Sequence, residues 1–363
     1  MTDPNEIVAR RLLKQAEWCE RLGSRLYSSL LRQAAADSRT GGVCWTVLRG
    51  HHDDPPDSAL ALRFLGAVHR LALQGQAPQL AAFYPSLGGD PNGGDADADR
   101  GDPRNNDPWP AFLAVVQQHT TALRELVRHP VQTNEVGRCA ALLGGFLEVA
   151  RQTRLPLRLF EAGAAGGLIL RWDHYRYQAG DEGWGDVHSP VRIAGAFAGA
   201  HPRFDQTVEI VERRGCDAAP IDPCSEEGRL TLQSYVWPDQ VDRLRQLSAA
   251  IAVARRVPAR VDQANAADWI EATLAERSSS NGAATVVYHS ITWQYLPPAD
   301  RDRIAGAMAA AGRAATRERP LAWLRFEPAH DVAEVRLQLW PGGEDRLLAR
   351  SGFHGKPVEW LGG

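Results

Sequence analysis

The stretch Leu155–Trp172 reads LPLRLFEAGAAGGLILRW, and its order of residue types decides the fold. An apolar run (Leu155, Leu157, Leu159, Phe160) ends in Glu161. The small residues Gly163, Ala164, Ala165, Gly166 and Gly167 come next, then an apolar segment suited to a helix. Strand, glycine turn and helix in succession is how an open α/β sheet builds a nucleotide-type pocket at the carboxyl edge of its first strand. Glycine belongs in such a turn because a Cβ would block both the tight bend and the approach of a ligand to backbone.

The spacing narrows the ligand. A dinucleotide fingerprint G-x-G-x-x-G begun at Gly163 needs glycine where Ala165 and Leu168 stand. The pattern acid-x-G-x-G-x-G of methyltransferases fits at Glu161, Gly163 and Gly167 and departs only at Ala165. That loop serves S-adenosylmethionine, which has no pyrophosphate and less need of a helix N-terminus aimed at anionic oxygens. A small-residue turn without a ligand is the alternative reading.

Residues 1–150 read as a helical cap domain. Ile7, Leu12, Leu13, Ala16 and Trp18 begin one amphipathic face; Leu60, Leu62, Leu65, Val68 and Leu71 form another. Residues 86–110, SLGGDPNGGDADADRGDPRNNDPWP, are too polar and too rich in Gly and Pro to bury a core, so a disordered loop is expected there. From Leu155 on, strands alternate with helices: an extended run LTLQSYVWPD from Leu230, then RVDQ from Arg260, then the apolar ATVVYHSITWQ from Ala284. The expected fold class is α/β: a doubly wound Rossmann-like methyltransferase sheet over 151–363, with residues 173–228 inserted as a lid.

Site candidates follow from that layout. A second strand should end in an acid for ribose hydroxyls. Asp239, closing SYVWPD before a helix, takes that place, with Asp217 and Asp222 as competitors. Asp268 and Trp269, after the third strand, suit an adenine: a carboxylate for the exocyclic amine and a ring to wall the base. The fourth strand brings Tyr288, His289 and Ser290 to the sheet's carboxyl edge, with His289 as candidate general base beside Tyr288, and Ser290 facing substrate. In the helical domain VQTNEVGRC gathers Gln132, Asn134, Glu135 and Arg138, either a helix cap with a salt bridge or a substrate contact.

Composition sets bounds. Hydrophobic residues make up 44% and charged ones 23%, with net charge −3 and no basic stripe, which argues against nucleic-acid binding. No apolar segment is long enough to span a membrane, and the start has no signal-peptide core. Five cysteines, without a C-x-x-C pair, point to a reduced, cytoplasmic chain. His51–His52–Asp53–Asp54 reads as a solvated loop rather than a metal site, and no metal is expected elsewhere.

Eight segments carry a family resemblance: LGSRLY (Leu22–Tyr27), AVHRLAL (Ala67–Leu73), YPSLGG (Tyr84–Gly89), VQTNEVGR (Val131–Arg138), FEAGAAGGLILRWDHYRY (Phe160–Tyr177), RRGCDAAPID (Arg213–Asp222), SYVWPDQ (Ser234–Gln240) and VVYHSITWQYLP (Val286–Pro297). On these the chain resembles an uncharacterised family, a domain of unknown function found mainly in actinobacteria and proteobacteria. That family looks like a member of the class I methyltransferase superfamily. The resemblance implies an S-adenosylmethionine-dependent methyltransferase acting on a small molecule; the alternative is a non-catalytic adenosyl- or nucleotide-binding regulatory or scaffold protein of the same fold.

Overall fold

A computed structural model describes residues 3–55, 58–91, 107–276 and 282–362. Residues 92–106, most of the expected disordered loop, lie outside the described residues. Its ends are ordered: Pro85–Leu87 is a 3-10 turn and a helix begins at Trp109. The chain divides into two compact units, residues 1–133 with 226–245, and 134–225 with 246–363.

The first unit is helical. Helices α1 (Pro4–Arg21), α2 (Arg25–Arg39), α3 (Val43–Leu48), α4 (Leu60–Leu73), α5 (Pro78–Ala81), α6 (Trp109–Gln118) and α7 (Thr120–Leu126) belong to it. Asp3 caps α1 through Asn5 N, and Ser24 caps α2, so donors that a helix start leaves unpaired are met by side chains. Leu12, Ala16, Leu30, Leu31, Phe64 and Phe112 share one core, the two phenyl rings meeting edge-on at 5.7 Å.

The helix α8 (Arg138–Thr153) falls in the second unit. The segment LTLQS, expected to be extended, is instead the end of helix α9 (Glu226–Ser234) in the first unit. Two glutamates in its first turn and Leu230 and Leu232 on its length serve a helix as well as a strand, which is why the short run misleads. Helix α10 (Val241–Ala254) begins in one unit and ends in the other.

The second unit is built on one eight-stranded sheet. Strands β1 (Leu157–Ala162), β5 (Ile210–Asp217), β6 (Arg260–Gln263), β7 (Ala284–Ser290) and β8 (Leu321–Ala329) run parallel; β9 (Val332–Trp340), β10 (Asp345–Ser351) and β11 (Val358–Trp360) close it as an antiparallel meander. The order is β11-β10-β9-β8-β7-β1-β5-β6. A separate three-stranded sheet holds β2 (Arg176–Ala179), β3 (Glu182–Trp184) and β4 (Arg192–Ala194).

Both faces of the large sheet are covered, as a parallel sheet requires. Phe160, Ala162 and Val287 pack against Trp269 and Ile270 of α11 (Ala266–Glu276) and Ile304 and Met308 of α12 (Pro298–Arg313). On the other face, Phe146 of α8 meets Tyr288 edge-on at 5.1 Å and stacks on Trp172 at 4.4 Å. Gly145 lets α8 lie close: a Cβ there would come within 2.3 Å of Leu324.

Two expectations need correction. The insertion is shorter than 173–228, because β5 is the sheet's second strand. Its charged residues Glu212, Arg213 and Arg214 pair with Arg158, Asp173 and Asp262 on neighbouring segments, so its sequence lacks an apolar run. The glycine turn is not followed by an α-helix either. Ile169–His174 is a 3-10 turn with Arg171 at φ −109°, and the Arg171 side chain, rather than a later backbone N–H, serves the Gly167 carbonyl at 2.6 Å.

Candidate functional site

The chain leaves β1 for β5 and β6 on one side, and continues through β7 and β8 on the other. The strand order therefore reverses between β1 and β7, and in open α/β sheets ligands bind outside the carboxyl ends at that point. The turn after β1 lies there. Gly163, Ala165 and Gly167 all adopt left-handed backbone (φ +70°, +48° and +65°). A Cβ on Gly163 would come within 2.4 Å of Thr292 Oγ1.

Hydrogen bonds from three segments hold this turn. Gly163 N and Ala164 N donate to Cys216 O at 2.9 and 3.0 Å, Leu168 N to Asn134 Oδ1 at 2.7 Å, and Ala165 N to Asp217 Oδ2 at 2.9 Å. Arg171, buried, donates to Gly167 O and, at 2.7 Å, to Val257 O. Gly166 N–H has no partner among the described residues.

Asp217, which closes β5, is the acid at the end of the second strand. Its other oxygen accepts from Ala219 N at 2.9 Å, and each oxygen keeps a lone pair. Asp239 does not end a strand. It follows α9 in the first unit, where Ser24 Oγ donates to its carboxylate at 2.8 Å.

Glu161 lies beneath the turn, 1% exposed, with Oε2 accepting from Tyr288 Oη at 3.2 Å and Oε1 buried without a partner. Burial drives its carboxyl well above the usual carboxylate range, with Asp217 adding to the rise and Tyr288 and Arg138 opposing it. Burial likewise raises the Tyr288 hydroxyl. Arg138 donates to Ser290 O at 2.9 Å and Phe353 O at 3.1 Å, tying α8 to the strand end. Glu135 Oε1 accepts from Gly137 N at 3.3 Å. Gln132 belongs to the first unit.

His289 has both ring nitrogens engaged. Its Nδ1 lies 2.5 Å from Glu327 Oε1, and Trp323 Nε1 donates to Nε2 at 3.2 Å. An indole N–H only donates, so Nε2 is the acceptor and Nδ1 carries the proton. Trp293 stacks on the ring at 5.2 Å, and His289 is 2% exposed. This arrangement leaves no ring nitrogen to take a proton from a substrate. Trp269 is core: its indole donates to Asp262 at 2.9 Å and its ring packs on Phe160. Asp268 is exposed and paired with Arg303 at 2.6 Å.

Residue patterns ranked Asp217 only as a competitor of Asp239 and missed Arg171, Thr292 and Glu327. Asp217 carried a signal, a carboxylate ending RRGCD; Thr292 and Glu327 act on partners remote in sequence, and Arg171 joins the nearby Gly167 carbonyl to the remote Val257 carbonyl, which no pattern marks. A shallow pocket of about 550 Å³, lined by residues of Ile210–Arg213 and Val257–Arg260, opens at the amino end of β5 and β6 and touches none of these groups. The His51–Asp54 run is a latch: Asp54 pairs with His51 at 2.9 Å and with Arg63. Among the described residues no helix is long and apolar enough to cross a membrane.

No curated protein and no solved structure matches the chain. A family model described as an uncharacterized protein conserved in bacteria matches residues 9–360, nearly the whole length. The chain belongs to that family, DUF2332.

Proposed function

We propose that the second unit binds S-adenosylmethionine at the carboxyl edge of β1, β5 and β6 and transfers its methyl group to a small molecule. The observation that carries this reading is the left-handed turn Gly163–Gly167 at the strand-order reversal, tied through Ala165 N to the acid that ends β5. The free Gly166 N–H suits the cofactor's carboxylate, and the spare lone pairs of Asp217 suit its ribose hydroxyls. Adenine would lie against Ala264, whose N–H is bonded to Asp217 O at 3.0 Å, instead of Asp268 and Trp269. Glu161 and Tyr288 brace the strand ends from below.

In the reaction a lone pair on the acceptor attacks the methyl carbon, the carbon–sulfur bond breaks, and its electrons stay on sulfur. The products are the methylated acceptor and S-adenosylhomocysteine, with the acceptor's proton passing to solvent. Such transfers gain rate mainly from in-line positioning, so the engagement of His289 does not disable them. That engagement does favour, as a second reading, a protein of this fold that binds an adenosyl ligand without turnover.

Isothermal titration with S-adenosylmethionine, S-adenosylhomocysteine and NAD tests the pocket. Micromolar binding of the first two, lost in Gly163→Val and weakened about tenfold or more in Asp217→Ala, is the expected result. Asp239→Ala should leave affinity unchanged. Absence of binding to either sulfur ligand would remove the proposal.

A further inference from the structure

The loop that leaves β7 passes through a conformation its residues disfavour. Ile291 lies at φ +52°, in the left-handed region that a β-branched side chain rarely enters. Two bonds to β8 hold it there: Ile291 N donates to Phe326 O at 2.8 Å, and Thr292 N to Glu327 Oε1 at 3.0 Å. The bend lays Thr292 against the turn after β1. Its side chain occupies the space that a Cβ on Gly163 would need, with Oγ1 and Cγ2 at 2.4 and 2.5 Å from that position. Thr292 Oγ1 donates to Ser290 O at 3.4 Å and to Ala162 O at 3.5 Å, so it touches the ends of both β7 and β1.

Ion pairing with a strong base does not account for Glu327. It stands directly opposite Glu334 across the β8–β9 ladder, where like charges repel. Arg336 meets Glu334 at 3.0 Å, whereas Glu327 pairs with no arginine or lysine among the described residues. Its Oε2 is buried with no partner among the described residues, which costs desolvation. What the carboxylate has is a fixed direction. Oε1 lies 2.5 Å from His289 Nδ1, and the Trp323 indole, 3.2 Å from Nε2, keeps the imidazole proton on Nδ1. Trp293 stacks on the same ring. Oε1 therefore receives two N–H groups, one from the histidine of β7 and one from the strained loop. Strained backbone persists only where its surroundings over-determine it, and such places cluster at functional sites.

We infer that Glu327 is a positioning residue: oriented by His289, it pins the Ile291–Thr292 corner, and Thr292 in turn holds the Gly163 turn in the shape that receives a ligand. What the turn receives rests on the function proposed above; the bracing of the turn does not. In that reading the Gly166 N–H meets the cofactor's carboxylate, while Asp217 holds the ribose and the adenine lies against Ala264. Glu327 then acts on the amino-acid end of the ligand and not on its nucleoside. His289 gains a part other than proton transfer, as the group that aims the carboxylate.

Titration of the full chain with S-adenosylhomocysteine and with 5′-methylthioadenosine, which lacks the amino-acid end, separates this role from a general loss of stability. Glu327→Met, similar in volume but without an acceptor, should weaken S-adenosylhomocysteine about tenfold or more and leave methylthioadenosine within about twofold. Glu327→Gln, whose amide oxygen can accept both N–H groups, should restore the parent values. Thr292→Gly leaves the His289–Glu327 contact in place and should copy Glu327→Met, which keeps the test if the latter does not fold. Hydrogen–deuterium exchange on the ligand-free chain supplies a readout that needs no ligand. The amides of Gly163 and Ala164, bonded to Cys216 O, should exchange about tenfold or more faster in Glu327→Met and Thr292→Gly and at the parent rate in Glu327→Gln, with β9 and β10 unchanged. A parent protein that binds neither ligand would remove the proposed ligand site and leave exchange to decide. The inference is overturned by parent-rate exchange at the turn in both variants, by loosening that reaches β9 and β10 equally, or by equal losses of affinity for the two ligands.

Discussion

Glu161 shows how one residue can be found by pattern and still be misjudged. Its place before the glycines was legible; its burial against Tyr288 was not, because that partner comes from β7. Burial keeps the folded carboxyl protonated far above the ordinary value of 4.5 at which the unfolded chain releases its proton. The folded state therefore holds the extra proton, and its advantage is complete below that ordinary value and fades as pH climbs toward the raised one. The isosteric Glu161→Gln variant has no proton to lose. The difference in unfolding free energy, parent minus variant, should fall steadily as pH rises above the ordinary carboxylate range, at a limiting slope of about 1.4 kcal/mol per pH unit. Parallel curves over that range would mean that Glu161 is ionised in the fold.

At the scale of elements, the turn after β1 was readable because its demands are local. Ala165, the one departure from the glycine pattern, occupies left-handed backbone at φ +48°, a conformation that costs a residue with a Cβ about 1 kcal/mol. Ala165→Gly should raise unfolding free energy by about 0.5–1 kcal/mol in denaturant titrations. Gly163→Val pairs the same backbone penalty with a collision against Thr292, and should lower it by several kcal/mol. The elements misread were those whose identity depends on partners. β5 is a strand because Arg213 and Arg214 find Asp173 and Asp262 across the fold, and α9 is a helix that one apolar run made look extended.

For the whole molecule the consequence is that sequence order and unit membership diverge. Residues 226–245 belong with the helical unit although sheet strands precede and follow them, and Leu232 and Trp237 are buried there. A chain cut to residues 134–363 would keep every sheet strand and strip those side chains of their core. It should aggregate on size-exclusion chromatography, whereas the same chain with residues 226–240 replaced by a Gly/Ser linker should elute as a single species. Two cores formed by different residues also predict unfolding that departs from a single two-state transition in calorimetry.

By itself the sequence determined what near neighbours decide: the helical character of the first stretch from its periodicity, the buried strand Ala284–Ser290 from its apolar run, and the turn at Gly163–Gly167 from its missing side chains. Tertiary structure alone decided which acid ends the second strand, what occupies the nitrogens of His289, and where Asp239 lies. The reason is physical. Periodicity and turn chemistry act over a few residues, but Ser24 meets Asp239 across 215 positions and Tyr288 meets Glu161 across 127, and only the folded chain brings such groups within reach of a hydrogen bond.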